Sequence, residues 1–84
     1  MRHPVIDTNA IAALIYQERK RQGLRQDDLA AMAGASDAFL RDVERGKPSV
    51  QLGKVLSVLN ELGIRVVLEL PDCDPAASPP RRAR

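Results

Sequence analysis

Apolar residues recur at helical spacing in four separate stretches of this chain. Ile11, Leu14 and Ile15 mark the first, which Asp7 or Thr8 can cap and which runs to about Gln22, with Gly23 as its stop. Leu29, Ala30 and Ala33 share one face of a second, opened by Gln26 and closed by Gly34. Glycine is favoured at such an end because the left-handed backbone costs it no Cβ clash. Ser36 can then cap a third helix, which turns Leu40 and Val43 inward and stops at Gly46. After the turn Lys47-Pro48-Ser49, Ser49 is a candidate cap for a fourth helix from about Val50 to Leu62. Its stripe is Leu52, Val55, Leu56, Leu59 and Leu62, and Gly63 ends it. Gly53 inside that helix costs about 1 kcal/mol relative to Ala, which close packing against another backbone would explain. Leu29, Phe39, Leu40, Val43 and Leu56 are assigned to the core.

The pattern then changes from helical spacing to partial alternation. Residues 64–70, IRVVLEL, are rich in β-branched side chains and predict a strand whose pairing residues are Ile64, Val66, Val67, Leu68 and Leu70. One strand cannot satisfy its own hydrogen bonds, and the chain carries no second strand signal. The expected partner is the same strand of another copy, because an open edge invites pairing; the alternative is a fifth helix or a loose apolar extension. From residue 71 the chain reads PDCDPAASPPRRAR, which has too little apolar surface to bury. Residues 1–70 are therefore expected to form the folded domain and residues 71–84 a disordered tail.

The second and third helices are joined by so short a link that they must cross steeply, and Ala30 leaves room for the approach. Leu29, Ala30, Gly34, Leu40 and Val43 hold the spacing of a helix-turn-helix, whose second helix enters a DNA major groove. The side chains early in that helix, Ser36, Asp37, Ala38 and Arg41, then face base edges, with Asp42 next to them. Arg41 is the strongest base reader, since a guanidinium can bond guanine O6 and N7 together, and Ala38 suits a thymine methyl. Asp37 can accept from a cytosine amino group or pair with Arg41, four positions along. Gln26, helped by the backbone N–H groups around it, suits a phosphate, as do Arg25, Arg45 and Lys47. Arg19 and Glu44 are placed to form a structural ion pair between the first and third helices.

Composition changes this picture little. Eighty-four residues make one small domain, and its net charge of +2 does not by itself argue for nucleic acid. Distribution counts for more: Arg19, Lys20, Arg21 and Arg25 crowd the end of the first helix, and Arg41, Arg45 and Lys47 gather on and after the third. Cys73 is the only cysteine, so an intrachain disulfide is excluded and a reducing cytosol fits. No run is apolar enough to span a membrane and no signal-peptide core opens the chain, so a cytoplasmic location is expected. His3 lacks partners at metal-ligand spacing. With no nucleophile–base pair and no glycine-rich phosphate loop, neither an enzyme nor a metal or other cofactor is expected.

With ERKRQGLRQDDLA, AGAS and DVERGKPSVQLGKVL, the stretch from Ile15 to Lys47 resembles the Xre/Cro helix-turn-helix family. More narrowly, ERGKPSVQLGKVLSVLNELGIRVVLEL is similar to the HipB-type antitoxins of type II toxin–antitoxin modules, and the resemblance covers roughly residues 8–70. It implies a mainly α, four-helix, lambda-repressor-like domain with a C-terminal β-strand that pairs across a homodimer. It implies a repressor of its own operon, bound to a pseudo-palindromic operator, that also neutralises a HipA-like serine/threonine kinase toxin. Position by position, the family's phosphate-binding glutamine is Gln26, its base readers fall at Ser36, Asp37, Ala38 and Arg41, and its structural Arg–Glu pair is Arg19 with Glu44. Two departures matter. Many relatives have Thr where Arg25 stands, so the usual cap of the second helix is missing. Basic or amide residues are frequent where Asp37 stands, so an operator sequence does not carry over. A stand-alone regulator with no toxin, and a helix-turn-helix that only binds protein, are the other readings.

Overall fold

The computed structural model describes residues 2–72, so Cys73, Arg81, Arg82, Arg84 and nearly all of the expected tail lie outside the described residues. Four helices follow in order: α1 (Thr8–Arg21), α2 (Gln26–Ala33), α3 (Asp37–Glu44) and α4 (Leu52–Glu61). Asp7 caps α1 from an extended backbone, its carboxylate accepting from the N–H of Ala10 at 2.9 Å. Helix α2 packs against both α3 and α4, and α1 packs against α3.

The core lies where these helices meet. Ile15, Leu29, Leu40 and Val58 are fully buried, one from each helix, and Ala30, Val43, Val55, Leu59 and Leu62 complete the cluster. Ile11, Leu24, Ala33, Phe39, Val50 and Ile64 cover its edges. Ala30 is completely buried and the methyl-sized side chain is what the α2 contacts accommodate.

Helix α4 departs from expectation in three ways. Ser49 does not cap it: the helix begins at Leu52, with Gln51 at the cap position and no side-chain hydrogen bond there. Val50 is drawn onto the core, which holds residues 48–50 in a bend and delays the helix. Leu56 is not a core residue but 44% exposed, and Leu52 is exposed as well. At about 100° per residue, Val55, Val58, Leu59 and Leu62 share the inward face, whereas Leu52 and Leu56 lie to one side of it. Gly53 has no close neighbour either, since a Cβ built on it would meet nothing within 4 Å.

Gly46 is the tight joint of the fold. Its φ is +81°, and an added Cβ would overlap the side-chain amide of Asn9 and lie 3.3 Å from Asn9 Cα. Thr8 Oγ1 donates to the Gly46 carbonyl at 2.7 Å, so the start of α1 is fixed on the end of α3.

Residues 64–70 form neither helix nor ladder, and no strand occurs among the described residues. Ile64 tucks against the core, while Val66, Val67, Leu68 and Leu70 are exposed.

Candidate nucleic-acid interface

The turn between α2 and α3 decides which side of α3 is free. Gly34 takes φ +69°, and the N–H groups of Gly34 and Ala35 close back on the carbonyls of Ala31 and Ala30 at 3.2 and 2.9 Å. Lys54 of α4 donates to the Gly34 carbonyl at 3.3 Å, bracing the turn from behind. Ser36 then caps α3, its Oγ accepting from the N–H of Phe39 at 3.0 Å.

With Leu40 and Val43 buried and Phe39 half-buried, the opposite face of α3 is left to solvent. Asp37, Ala38, Arg41 and Arg45 occupy it, with Ser36 at its leading edge, and all five are exposed. No ion pair joins Asp37 to Arg41 among the described residues, so both remain available to a ligand. Asp42 is half-buried and its Oδ2 lies 3.5 Å from Lys47 Nζ. That pairing gives Lys47 a counter-charge within its own chain.

At the start of α2 the missing cap is replaced from within the helix. Arg25 stands in the cap position, but a guanidinium has no acceptor, so it cannot bond the first-turn N–H groups. Asp27 Oδ1 takes the N–H of Asp28 at 2.9 Å instead, and Asp28 Oδ2 accepts from the backbone N–H of Arg25 at 3.1 Å. The Arg25 guanidinium sits 3.4 Å from Asp27 and 3.5 Å from Asp28. Two of the backbone donors around Gln26, the N–H groups of Arg25 and Asp28, are therefore already occupied within the chain. An open hollow lined by Lys20, Gly23, Leu24, Arg25 and Gln26 adjoins this helix start. Lys20, one of the cations that the sequence crowds at the end of α1, thus stands beside Gln26.

Behind the exposed face lies a nearly dry polar node. The guanidinium of Arg19, a residue only 7% exposed, donates through Nε and Nη2 to the two oxygens of Glu44 at 2.7 and 3.0 Å, and through Nη1 to the Leu24 carbonyl at 2.9 Å. The bond to Glu44 raises the Arg19 pKa further above its ordinary value. The Tyr16 ring lies 5.3 Å from the guanidinium carbon, a cation–π distance. Gln26 Nε2 donates to Glu44 Oε1 at 2.9 Å, which ties α2 into the same node. At the far end of α1, Glu18 accepts from Arg21 Nε at 3.0 Å and from Gln22 Nε2 at 2.9 Å. These bonds, the one from Arg21 first, lower the Glu18 pKa to about 2. Gln22 Nε2 also reaches the Leu62 carbonyl at 2.8 Å, joining α1 to the end of α4. Lys54 and Gln22 escaped the sequence reading because their acceptors are distant backbone carbonyls, which leave no mark on local spacing.

A four-helix domain with a braced α2–turn–α3 unit and one polar, solvent-facing edge of α3 is a helix-turn-helix domain in architecture. The chain belongs to the helix-turn-helix family, whose model matches residues 15–68. It is 49% identical over 61 residues to an uncharacterized HTH-type transcriptional regulator, y4mF, of Sinorhizobium fredii, covering 73% of this chain and 80% of that protein. It is 31% identical over 65 residues to the ImmF control region 10 kDa protein of Bacillus phage phi105, covering 75% of this chain and 72% of that one. Its fold matches that of a chain in the HipA-HipB-O2-O3 complex with a TM-score of 0.74 at 20% identity, over 88% of this chain and 99% of the other.

Proposed function

We propose that this chain is a sequence-specific DNA-binding antitoxin of a type II toxin–antitoxin module. It acts in the cytoplasm as a homodimer on a pseudo-palindromic operator, represses its own operon and neutralises a HipA-like serine/threonine kinase toxin. The observation that carries the DNA reading is the edge of α3, where Ser36, Asp37, Ala38 and Arg41 are exposed while Leu40 and Val43 lock the helix from behind. An Arg–Asp edge of this kind offers one strong donor and one strong acceptor to bases in a major groove. Arg25, Gln26, Arg45 and Lys47 flank it as phosphate ligands that set register. The fold shared with a HipA–HipB complex supports the toxin partnership, and the unpaired residues 64–70 support the dimer.

Gel-shift titration with the DNA upstream of the gene tests the first part. Arg41→Ala is expected to weaken binding by about 1–3 kcal/mol and to relax preference at one base pair. Gln26→Ala is expected to weaken it with no change of preference. Unchanged affinity in both variants would show that the groove face lies elsewhere, and no complex at all would leave a protein-binding module. The second reading, a stand-alone regulator with no toxin, is favoured by the relative y4mF, which bears the name of a transcriptional regulator. Co-purification with a kinase encoded beside the gene separates the two readings: a stable complex supports the antitoxin, and its absence supports the regulator.

A further inference from the structure

Sequence spacing assigns Glu44 to a structural pair with Arg19, but the carboxylate serves a third helix as well. Its Oε2 accepts from Arg19 Nε at 2.7 Å, while its Oε1 accepts from both Arg19 Nη2 at 3.0 Å and Gln26 Nε2 at 2.9 Å. The Arg19 and Glu44 side chains are only 8% and 6% exposed, so packing and two parallel bonds fix the carboxylate in place. Gln26, first residue of α2, is half-buried and reaches the surface. A carboxamide nitrogen carries two hydrogens. Glu44 holds one, and no other acceptor takes the second among the described residues.

We propose that Glu44 is a positioning residue for DNA-backbone binding: it orients Gln26 so that the free amide N–H meets one phosphate oxygen. This rests on the DNA-binding reading above and states how one of its contacts is prepared. A glutamine left free at a helix start samples many rotamers and loses them on binding. Bonded to Glu44, it meets the phosphate with that entropy already removed. Arg19 acts one step further back, holding Glu44 and, through the Leu24 carbonyl at 2.9 Å, the loop that leads into α2.

The test uses the full chain and a duplex that it selects from a randomised pool, with binding measured in the cold where circular dichroism shows each variant folded. Gln26→Ala removes the donor, and Glu44→Gln keeps the size of the side chain but replaces one of its acceptor oxygens with a donor. Each is expected to weaken binding about five- to tenfold, the loss of one hydrogen bond. The double variant should bind no worse than Gln26→Ala alone. Ethylation of one and the same phosphate should stop interfering in all three. If Glu44 is only structural, Glu44→Gln will melt at lower temperature while its ethylation pattern is unchanged and its loss adds to that of Gln26→Ala; that result overturns the proposal. Should Glu44→Gln fail to fold, Glu44→Asp keeps the charge for Arg19 but draws the carboxylate away from Gln26. Loss of the same phosphate signal then supports the proposal and its retention overturns it. A wild-type chain that selects no duplex removes the DNA-binding reading and this role together, whereas an unaltered pattern in the Glu44 variants removes this role alone.

Discussion

Gly46 shows how much one position can carry. It has a left-handed backbone, and it also lies against Asn9, so an alanine there meets two separate costs. The left-handed conformation alone disfavours a Cβ by about 1–2 kcal/mol, and the overlap with Asn9 adds to that. Gly46→Ala is therefore expected to lose about 2 kcal/mol or more, a fall of roughly 8–16 °C in melting temperature for a domain of this size. Gly34→Ala is the control: it has the same backbone requirement, with nothing within 4 Å of the added Cβ. It should lose only the conformational part. Equal losses in the two variants would show that the contact with Asn9 is relieved without cost. Glu18 gives a residue-scale prediction in pH. Its carboxyl titrates at about 2 in the folded chain against an ordinary 4.5, chiefly because Arg21 bonds the ionised form. The unfolded chain thus takes up the proton first as pH falls. The stabilisation is complete above about 4.5 and is lost progressively down to about 2. Carboxyl NMR titration should find the low midpoint, and Arg21→Ala should move it up toward 4.5.

Among the elements, α4 is the one whose sequence and surroundings disagree. Gly53, its second residue, has open space around it, and Ser57 Oγ bonds back to its carbonyl at 3.3 Å. Among the described residues nothing lies within 4 Å of a Cβ added at Gly53, so Gly53→Ala should stabilise the chain by about 0.5 kcal/mol through helix propensity. Thermal melts of the two proteins decide it, and a loss instead of a gain would show that a second chain packs on Gly53. The same helix marks the limit of what the sequence could tell. The helix starts at Asp7 and Ser36 and the stops at Gly34 and Gly46 were legible because a cap or a left-handed glycine acts within one turn of its own position. The Arg19–Glu44 pairing was legible from the placement of the two residues on α1 and α3 and from the Arg–Glu pair of the family that the sequence resembles. Ser49 and Leu56 misled because their fates depend on other elements: the core takes Val50 and delays the helix, and four inward residues already fill the face that Leu56 would need. At the interface, the exposure of Ser36, Asp37, Ala38 and Arg41 followed from helical spacing. The occupation of Asp42 by Lys47, and of the first α2 donors by Asp27 and Asp28, depended on rotamers that spacing does not specify.

At the scale of the whole molecule the unfinished surface is apolar. Leu52 and Leu56 on α4 are 65% and 44% exposed, and Val66, Leu68 and Leu70, which alternate along residues 64–70, are 54%, 82% and 72% exposed. A backbone of this length with no ladder leaves a row of unpaired N–H and C=O groups, which a second copy can satisfy by antiparallel pairing about a two-fold axis. Such pairing is isologous, so the same residues serve both sides and the assembly closes at two. It also sets two α3 helices at a fixed separation, the condition for reading two half-sites one helical turn apart. Ile64 packs on the core of its own protomer, so a chain truncated after Ile64 keeps its hydrophobic cluster and loses only the exposed segment. The full chain is expected to sediment as a dimer and the truncated one as a monomer with unchanged helical circular dichroism. Operator affinity should fall with it, because each subunit then binds a half-site alone and pays its association entropy separately. A truncated chain that still sediments as a dimer would move the interface to α4. Leu56→Glu would then be the substitution that separates the subunits, since it places a charge beside Leu52 in the exposed apolar stripe of α4.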